Sequence, residues 1–235
     1  MIGQQQKDQA EKWFKDLRDK ICEEFEILEE DHLKLAPKSD TAAKKFERKS
    51  TIRETDDKED GGGGVMATLK DGRIFEKVGV NVSAVYGNLA PEAQKSITAR
   101  KAIPELKDDP RFWASGISLV AHMRNPHTPA IHLNTRMFWT PHAWWFGGGT
   151  DLNPSIENDD DTNFFHQTLK RKCDKHNQSY YKEFKKWADE YFFIPHRKVA
   201  RGVGGIFFDD LCTGDWEKDF YFTRDVGEAF LEAYI

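Results

Sequence analysis

Between Gln5 and Glu30 the apolar positions recur every three or four residues: Phe14, Leu17, Ile21, Phe25 and Leu28. That spacing predicts one long helix with a single apolar stripe packed on a sheet. Beyond residue 70 the period changes to two. Val78, Val80, Val82, Ala84 and Tyr86 fall on one face of a predicted strand, and Gly79, Asn81 and Ser83 on the other. Lys70-Asp71-Gly72-Arg73 supplies a hairpin turn before it. Further strands are predicted at Gly116–Met123, Ile131–Phe138, Ala143–Phe146 and Gly204–Phe208, with short links that favour antiparallel pairing. Helices return at Thr162–His176, Ser179–Phe192 and Glu217–Ile235. In the second of these Tyr180, Phe184, Trp187 and Tyr191 form one stripe, read as facing the core. Residues 36–60 are polar and read as loop, broken at most by a short strand. Gly61 to Gly64 cannot form a helix interior. They suit a flexible turn, or a backbone that approaches a ligand closely.

Composition narrows the class. A chain of 235 residues makes one large domain or two small ones. Charged residues are 32% of it, and no apolar run approaches the ~18 residues that span a bilayer. The net charge of −5 argues against a general nucleic-acid binder. The opening residues carry no apolar signal region. Cys22, Cys173 and Cys212 are too few and too scattered for a disulfide framework or a zinc knuckle, so the expected compartment is a reducing cytoplasm. Residues 1–60 hold half their number in charges, whereas the aromatics crowd into residues 111–235. The N-terminal part therefore reads as solvated helical surface, and the C-terminal half as the core and any apolar-walled pocket.

Candidate chemistry concentrates in residues 116–211. On the two strands joined by Arg124–Ala130, alternation gathers Ser118, His122, His132, Asn134 and Arg136 on one face, opposite Ile131, Leu133, Thr135 and Met137. A solvated strand face would prefer Thr, Lys and Glu, and His, Asn and Arg are poor strand formers, so this mixture reads as a pocket floor. Gly147-Gly148-Gly149 lets the backbone run close against something flat or bulky, and Asp151 follows as a site carboxylate. Asp159-Asp160-Asp161 make an N-cap cluster ahead of His166. His122, His132, His166 and His196 match no tight zinc motif by spacing. Asp209 and Asp210 are adjacent in a predicted strand and so point to opposite faces. Arg136, Arg197 and Arg201 suit carboxylate recognition. No nucleotide-binding loop, nucleophile elbow or redox CxxC is present. These features describe a glycine- and aromatic-lined pocket for a large, flat, polyanionic organic ligand.

The segments HMRNPHTPAIHLNTR (122–136), WWFGGGTDLNP (144–154) and HRKVARGVGGIFFDDL (196–211), with the upstream GGGG and VGVNVSAVYG, resemble oxygen-dependent coproporphyrinogen III oxidase from about residue 10 onward. The resemblance implies an α+β fold: a large flat antiparallel sheet, helices on both sides, a single domain and a homodimer. It implies conversion of two propionate arms of coproporphyrinogen III to vinyl groups in haem biosynthesis. O2 is consumed, CO2 and peroxide are released, and there is no organic cofactor. His132 matches the family's proton donor, and Ser118, Asn134, Thr135 and Arg136 match substrate contacts. Asp151 matches a carboxylate that holds pyrrole N–H groups. His122, His132, His166 and His196 match a divalent-metal set whose requirement the resemblance leaves open. The family continues for several tens of residues beyond the point where this chain stops, with another arginine motif. The last predicted helix also stops on apolar Tyr234-Ile235 without a glycine cap. The chain is therefore expected to be a truncated form and a weak enzyme or an inactive one. A non-catalytic porphyrinogen-binding or scaffold protein of the same fold is the alternative.

Overall fold

The computed structural model of the chain describes residues 2–35, 41–55 and 59–235. Helix α1 runs from Gln4 to Leu35. The strands β1 (Glu47–Glu54), β2 (Asp60–Lys70), β3 (Phe75–Asn88), β4 (Arg111–Met123), β5 (Ala130–Trp139), β6 (Trp144–Asn153) and a later β9 (Gly204–Leu211) pair in that order. Every pairing is antiparallel, giving one seven-stranded sheet. Helix α2 (Pro91–Lys101) and a short 3-10 turn (Pro104–Lys107) sit between β3 and β4. After β6 come α3 (Asp159–Asp174), α4 (Tyr180–Tyr191) and the two-residue strands β7 (Phe193–Ile194) and β8 (Val199–Ala200); helix α5 (Trp216–Tyr234) follows β9. The predicted α+β class and antiparallel sheet are what the chain adopts.

The period-two pattern decides which sheet face is covered. Val78, Val80, Leu119, Ile131, Leu133, Met137 and Phe208 are buried against α1 and α5. The predicted stripe of α1 supplies Phe14, Leu17, Ile21 and Phe25 to that layer, and Phe25 stacks on Phe75 at 4.5 Å between ring centres. At one end of the opposite face, Ile97 of α2 and Leu106 of the 3-10 turn pack on Trp145, Phe138 and Phe112. Helices therefore lie on both sides, but most of that second face stays open. Helix α2 shows no apolar stripe, having a single buried residue, Ile97, and the hydrophobic pattern does not predict it.

Several expectations are corrected. Residues 36–60 hold the strand allowed for there, which the pattern does not locate: residues 47–54 form β1, an edge strand exposed at every position. Its charges explain both facts, since charged side chains hide a strand from pattern analysis and protect an edge from stray pairing. Residues 36–40 and 56–58 fall outside the described residues. Gly61–Gly64 is no turn but lies inside β2. A β-carbon on Gly63 would meet the Thr51 carbonyl oxygen at 2.1 Å, so the glycines admit close neighbouring backbone. The cap of α3 is Asn158, whose Oδ1 accepts from the N–H of Asp160 at 2.9 Å. Asp159–Asp161 fill the first turn, where negative charge favours the helix.

Glu29 departs furthest from the picture of a solvated N-terminal segment. It is fully buried. Its carboxylate accepts from the backbone N–H groups of Arg73 (2.7 Å), Ile74 (2.8 Å), Phe75 (3.0 Å) and Lys44 (3.3 Å). Helix α1 thereby fastens the β2–β3 hairpin through one side chain, satisfying donors the turn leaves free.

The cysteines are all free. Burial pushes the thiols of Cys22 and Cys173 up to about 12, while Cys212 is exposed. A thiolate reagent at about pH 8 should therefore titrate one thiol in the native chain and all three after unfolding. Reaction of two or three native thiols would show that the core around α1 or α3 opens readily.

Candidate active site

The open face of the sheet carries the predicted pocket floor. The β4–β5 register sets Ser118 opposite Asn134 and Val120 opposite His132; the β5–β6 register sets His132 opposite Asp151 and Arg136 opposite Gly147. Ser118 and His122 are exposed, and His132, Asn134 and Arg136 are half-buried. A cavity of about 670 Å³ lies over all of these but Ser118, bounded by His122, His132, Asn134, Arg136, Gly149, Asn153, Arg201, Phe207 and Asp209. Of the predicted substrate contacts, Ser118 lies on this open face outside the cavity lining, and Thr135 lies on the other face. Its side chain is fully buried on the core face, as alternation requires, and its hydroxyl cannot reach the cavity.

Asp151 organises this site. Its carboxylate is fully buried, and it accepts from His132 Nδ1 at 2.9 Å, from Asn153 Nδ2 at 2.7 Å and from the Arg201 guanidinium at 2.8 Å. Burial alone would raise its pKa; the hydrogen bonds from His132, Asn153 and Arg201 outweigh that and hold it below the ordinary carboxylate value. An ionised Asp151 can only accept, so the proton of a neutral His132 ring sits on Nδ1 and leaves Nε2 for the cavity. Both Asp151 oxygens are engaged by protein donors, so its first action is on His132 and Arg201.

Arg136 is held from two sides. It donates to Asn134 Oδ1 at 2.9 Å and pairs with Asp209 at 3.2 Å. Asp209 also pairs with Arg100 of α2 at 3.3 Å, and Arg100 reaches Asp210 at 3.1 Å. Asp209 and Asp210 thus do not point to opposite faces. Asp210 has a φ of +62°, and the β6–β9 register slips beside it, turning both carboxylates toward Arg100. Neither Arg100 nor the grip of Asp209 on Arg136 carries a sequence signal, because each depends on a contact across more than 70 residues.

The glycine run makes this packing possible. A β-carbon on Gly147 would lie 2.6 Å from Asp209 Oδ1, and one on Gly149 would lie 2.5 Å from the Ile206 carbonyl oxygen. Gly149→Ala is therefore expected to push β9 outward and to cost about 1–3 kcal/mol of stability in denaturant titrations. Gly79→Ala, whose β-carbon would meet nothing closer than 4.0 Å, is the control expected to stay near wild type. Equal losses in both would show that the cost at Gly149 does not come from the close approach of β9.

The aromatic rim comes from an unexpected place. Of the α4 stripe, Phe184 joins the core, but Tyr191 and Trp187 are exposed and pack on Phe207 at the mouth of the cavity. Tyr191 stacks on Phe207 with ring centres 4.5 Å apart. The Phe207-Phe208 pair in a period-two strand held the signal, since one of the two must face the open side.

The four histidines assigned to a metal do not converge. His122 and His132 face the cavity, but His196 is exposed in the turn between β7 and β8 and does not line it. Both ring nitrogens of His166 are engaged by protein. Nε2 lies 2.9 Å from the Val203 carbonyl oxygen, and Nδ1 lies 3.1 Å from the Tyr181 hydroxyl. Burial holds this imidazole below its ordinary pKa, against the opposing hydrogen bond to Val203. Among the described residues no three His, Cys, Asp or Glu side chains gather as a metal set. The donor set therefore does not fit a four-histidine metal. A larger groove, about 980 Å³, lies between α1 and β2–β3, but its cations are engaged locally: Lys15 with Glu11, Arg18 with Asp19, Arg111 with Asp109, Arg53 with the Tyr86 carbonyl, and Lys7 over Trp139.

The sequence profile of the coproporphyrinogen III oxidase family matches residues 9–235. The chain belongs to this family. A protein of Rickettsia peacockii (strain Rustic) named oxygen-dependent coproporphyrinogen-III oxidase is 47% identical over 228 residues, covering 97% of this chain and 76% of that protein. The similarly named protein of Rickettsia bellii (strain RML369-C) is 45% identical over 233 residues, covering 99% and 78%. No helix among the described residues of this family member is long and apolar enough to cross a membrane.

Proposed function

We propose that this chain carries the oxygen-dependent coproporphyrinogen III oxidase activity: each of two propionate arms of the substrate becomes a vinyl group, giving protoporphyrinogen IX. The observation that carries the reading is the Asp151–His132 pair beside two arginines on an open, glycine-floored sheet face. For one arm, R–CH2–CH2–COO⁻ with O2 and one proton gives R–CH=CH2, CO2 and H2O2. The arm loses its carboxylate as CO2 and two electrons pass to O2. The β-carbon gives up one proton to the peroxide, and the other proton must be supplied.

His132 suits that supply. Its Nδ1 is tied to Asp151, so Nε2 is the atom that gives or takes a proton in the cavity. Arg136 and Arg201 suit the propionates, because guanidinium meets carboxylate with two parallel donors. Gly149 and the Phe207–Tyr191 stack suit a broad, flat ring system. O2 is the oxidant that the relatives' name gives. A homodimer is part of the proposal, carried over from the family resemblance; sedimentation of the purified chain tests it, and a monomer at assay concentration would remove it. A cytoplasmic setting is proposed from the three unpaired thiols.

The test is turnover. The chain is mixed anaerobically with reduced coproporphyrinogen, then given O2, and CO2, peroxide and divinyl product are counted. Binding without product on O2 addition would favour a non-catalytic porphyrinogen carrier and defeat the enzyme reading.

The two faces of β5 give a second test. His132→Ala should lower turnover about 10²–10⁴-fold with little change in melting temperature. Arg136→Ala should weaken substrate binding by about 1.5–3 kcal/mol, the range for a hydrogen bond to a charged group. Ile131→Ala and Leu133→Ala should cost about 2–5 kcal/mol of stability while activity per folded molecule survives. Four similar melting losses would refute the assignment of faces.

A further inference from the structure

We infer that His166 and Tyr181 are positioning residues that hold the Arg201 segment over Asp151, and that His166 does not serve as a metal ligand. Arg201 reaches Asp151 from a short connection between β8 and β9 that is fastened on both sides. Before the bend, the N–H of Arg201 donates to the Phe192 carbonyl at 3.1 Å, and the guanidinium lies 4.1 Å over the Phe192 ring. The chain then turns at Gly202, whose φ is +60° and where a β-carbon would meet the Leu152 carbonyl oxygen at 2.2 Å. After the bend, Val203 donates its N–H to Leu152 at 3.0 Å and accepts at its carbonyl from His166 Nε2 at 2.9 Å.

With its proton on Nε2, His166 must accept at Nδ1, and the Tyr181 hydroxyl donates there at 3.1 Å. The relay Tyr181–His166–Val203 therefore ties α4 and α3 to the peptide just beyond Gly202. It leaves neither imidazole nitrogen with a lone pair free for a cation. Its effect on the reaction passes through Arg201, two residues before Val203, and so to the Asp151 carboxylate that orients His132.

Three variants and a cycle test this. His166→Gln keeps an amide N–H for the Val203 carbonyl, whereas His166→Ala keeps nothing. Expected are faster amide exchange across residues 201–205 and about a tenfold fall in kcat for His166→Ala, with His166→Gln close to wild type in both. Tyr181→Phe should fall between them. In an Arg201→Ala background, His166→Ala should lower kcat no further, because the pair acts as a unit. Only the kinetic arms rest on the proposed oxidase activity; amide exchange reads the clamp without turnover, and metal content is measured in every variant. The inference is overturned if His166→Gln is as damaged as His166→Ala and loses a bound metal while exchange at 201–205 is unchanged. It is also overturned if His166→Ala and Arg201→Ala lower kcat additively.

Discussion

Asp151→Ala should lower turnover by about 10³–10⁴-fold while the chain keeps its fold. The loss has two parts. The His132 ring forfeits the acceptor that fixes its tautomer and rotation, so Nε2 no longer faces the cavity in one orientation. The Arg201 guanidinium loses its carboxylate partner and keeps its stacking on Phe192. The fold should survive with a loss of about 1–3 kcal/mol, because the backbone of β6 stays paired with β5 and β9, and the His132, Asn153 and Arg201 donors that lose their acceptor line the open cavity, where water can replace it. Asp151→Asn is the sharper variant. Its carbonyl oxygen still accepts from His132, but the charge that stabilises a protonated imidazole is gone, so most of the activity should still be lost. The measurements are kcat and near-ultraviolet circular dichroism side by side. Near-normal kcat in either variant would remove Asp151 from the reaction, and a lost fold in Asp151→Ala would make it a structural residue.

Glu29→Ala should be among the most destabilising single changes in the N-terminal half, at about 3–5 kcal/mol. The variant leaves the N–H groups of Arg73, Ile74, Phe75 and Lys44 without their acceptor, at a position with no access for water. For a chain of this size the loss corresponds to a fall in melting temperature of roughly 10 °C. Glu29→Gln should recover only part of it, since one oxygen becomes an NH2 group facing donors. Gly72→Ala attacks the same joint from the other side, because its β-carbon would lie 2.4 Å from a Glu29 oxygen. Glu30→Ala, one residue along and exposed, is the control and should stay within about 0.5 kcal/mol of wild type. Similar melting curves for Glu29→Ala and Glu30→Ala would show that the hairpin is held by strand pairing alone.

The facing of the strands was legible in the sequence because the side-chain period of a strand is two and one face of this sheet is buried. Residues 131–137 alternate between core and cavity, and the structure keeps that alternation at every position. The same rule put the side chain of Thr135 on the core side even though the family resemblance grouped it with the substrate contacts. Helix α1 was legible for the corresponding reason at period 3.6. Helix α2 and strand β1 were not, since one has a single buried residue and the other none, and an element without a buried face leaves no periodic trace.

What the sequence by itself determined, then, is the local conformation and the face of each residue in periodic segments, together with the inventory of histidine, arginine and aspartate on the open side. Tertiary structure decided the partners. Glu29 reads as one more charge on a solvated helix until a hairpin more than 40 residues away brings it backbone donors. His166 reads as a fourth metal histidine until α4 and the approach to β9 occupy both its nitrogens. Arg201 finds Asp151 across 50 residues, and Arg100 finds Asp209 across more than 100. A hydrophobic period is a property of neighbouring residues, so it survives in one dimension. A hydrogen bond between distant segments depends on sheet order, strand register and a bend at one glycine, and those exist only once the chain has packed.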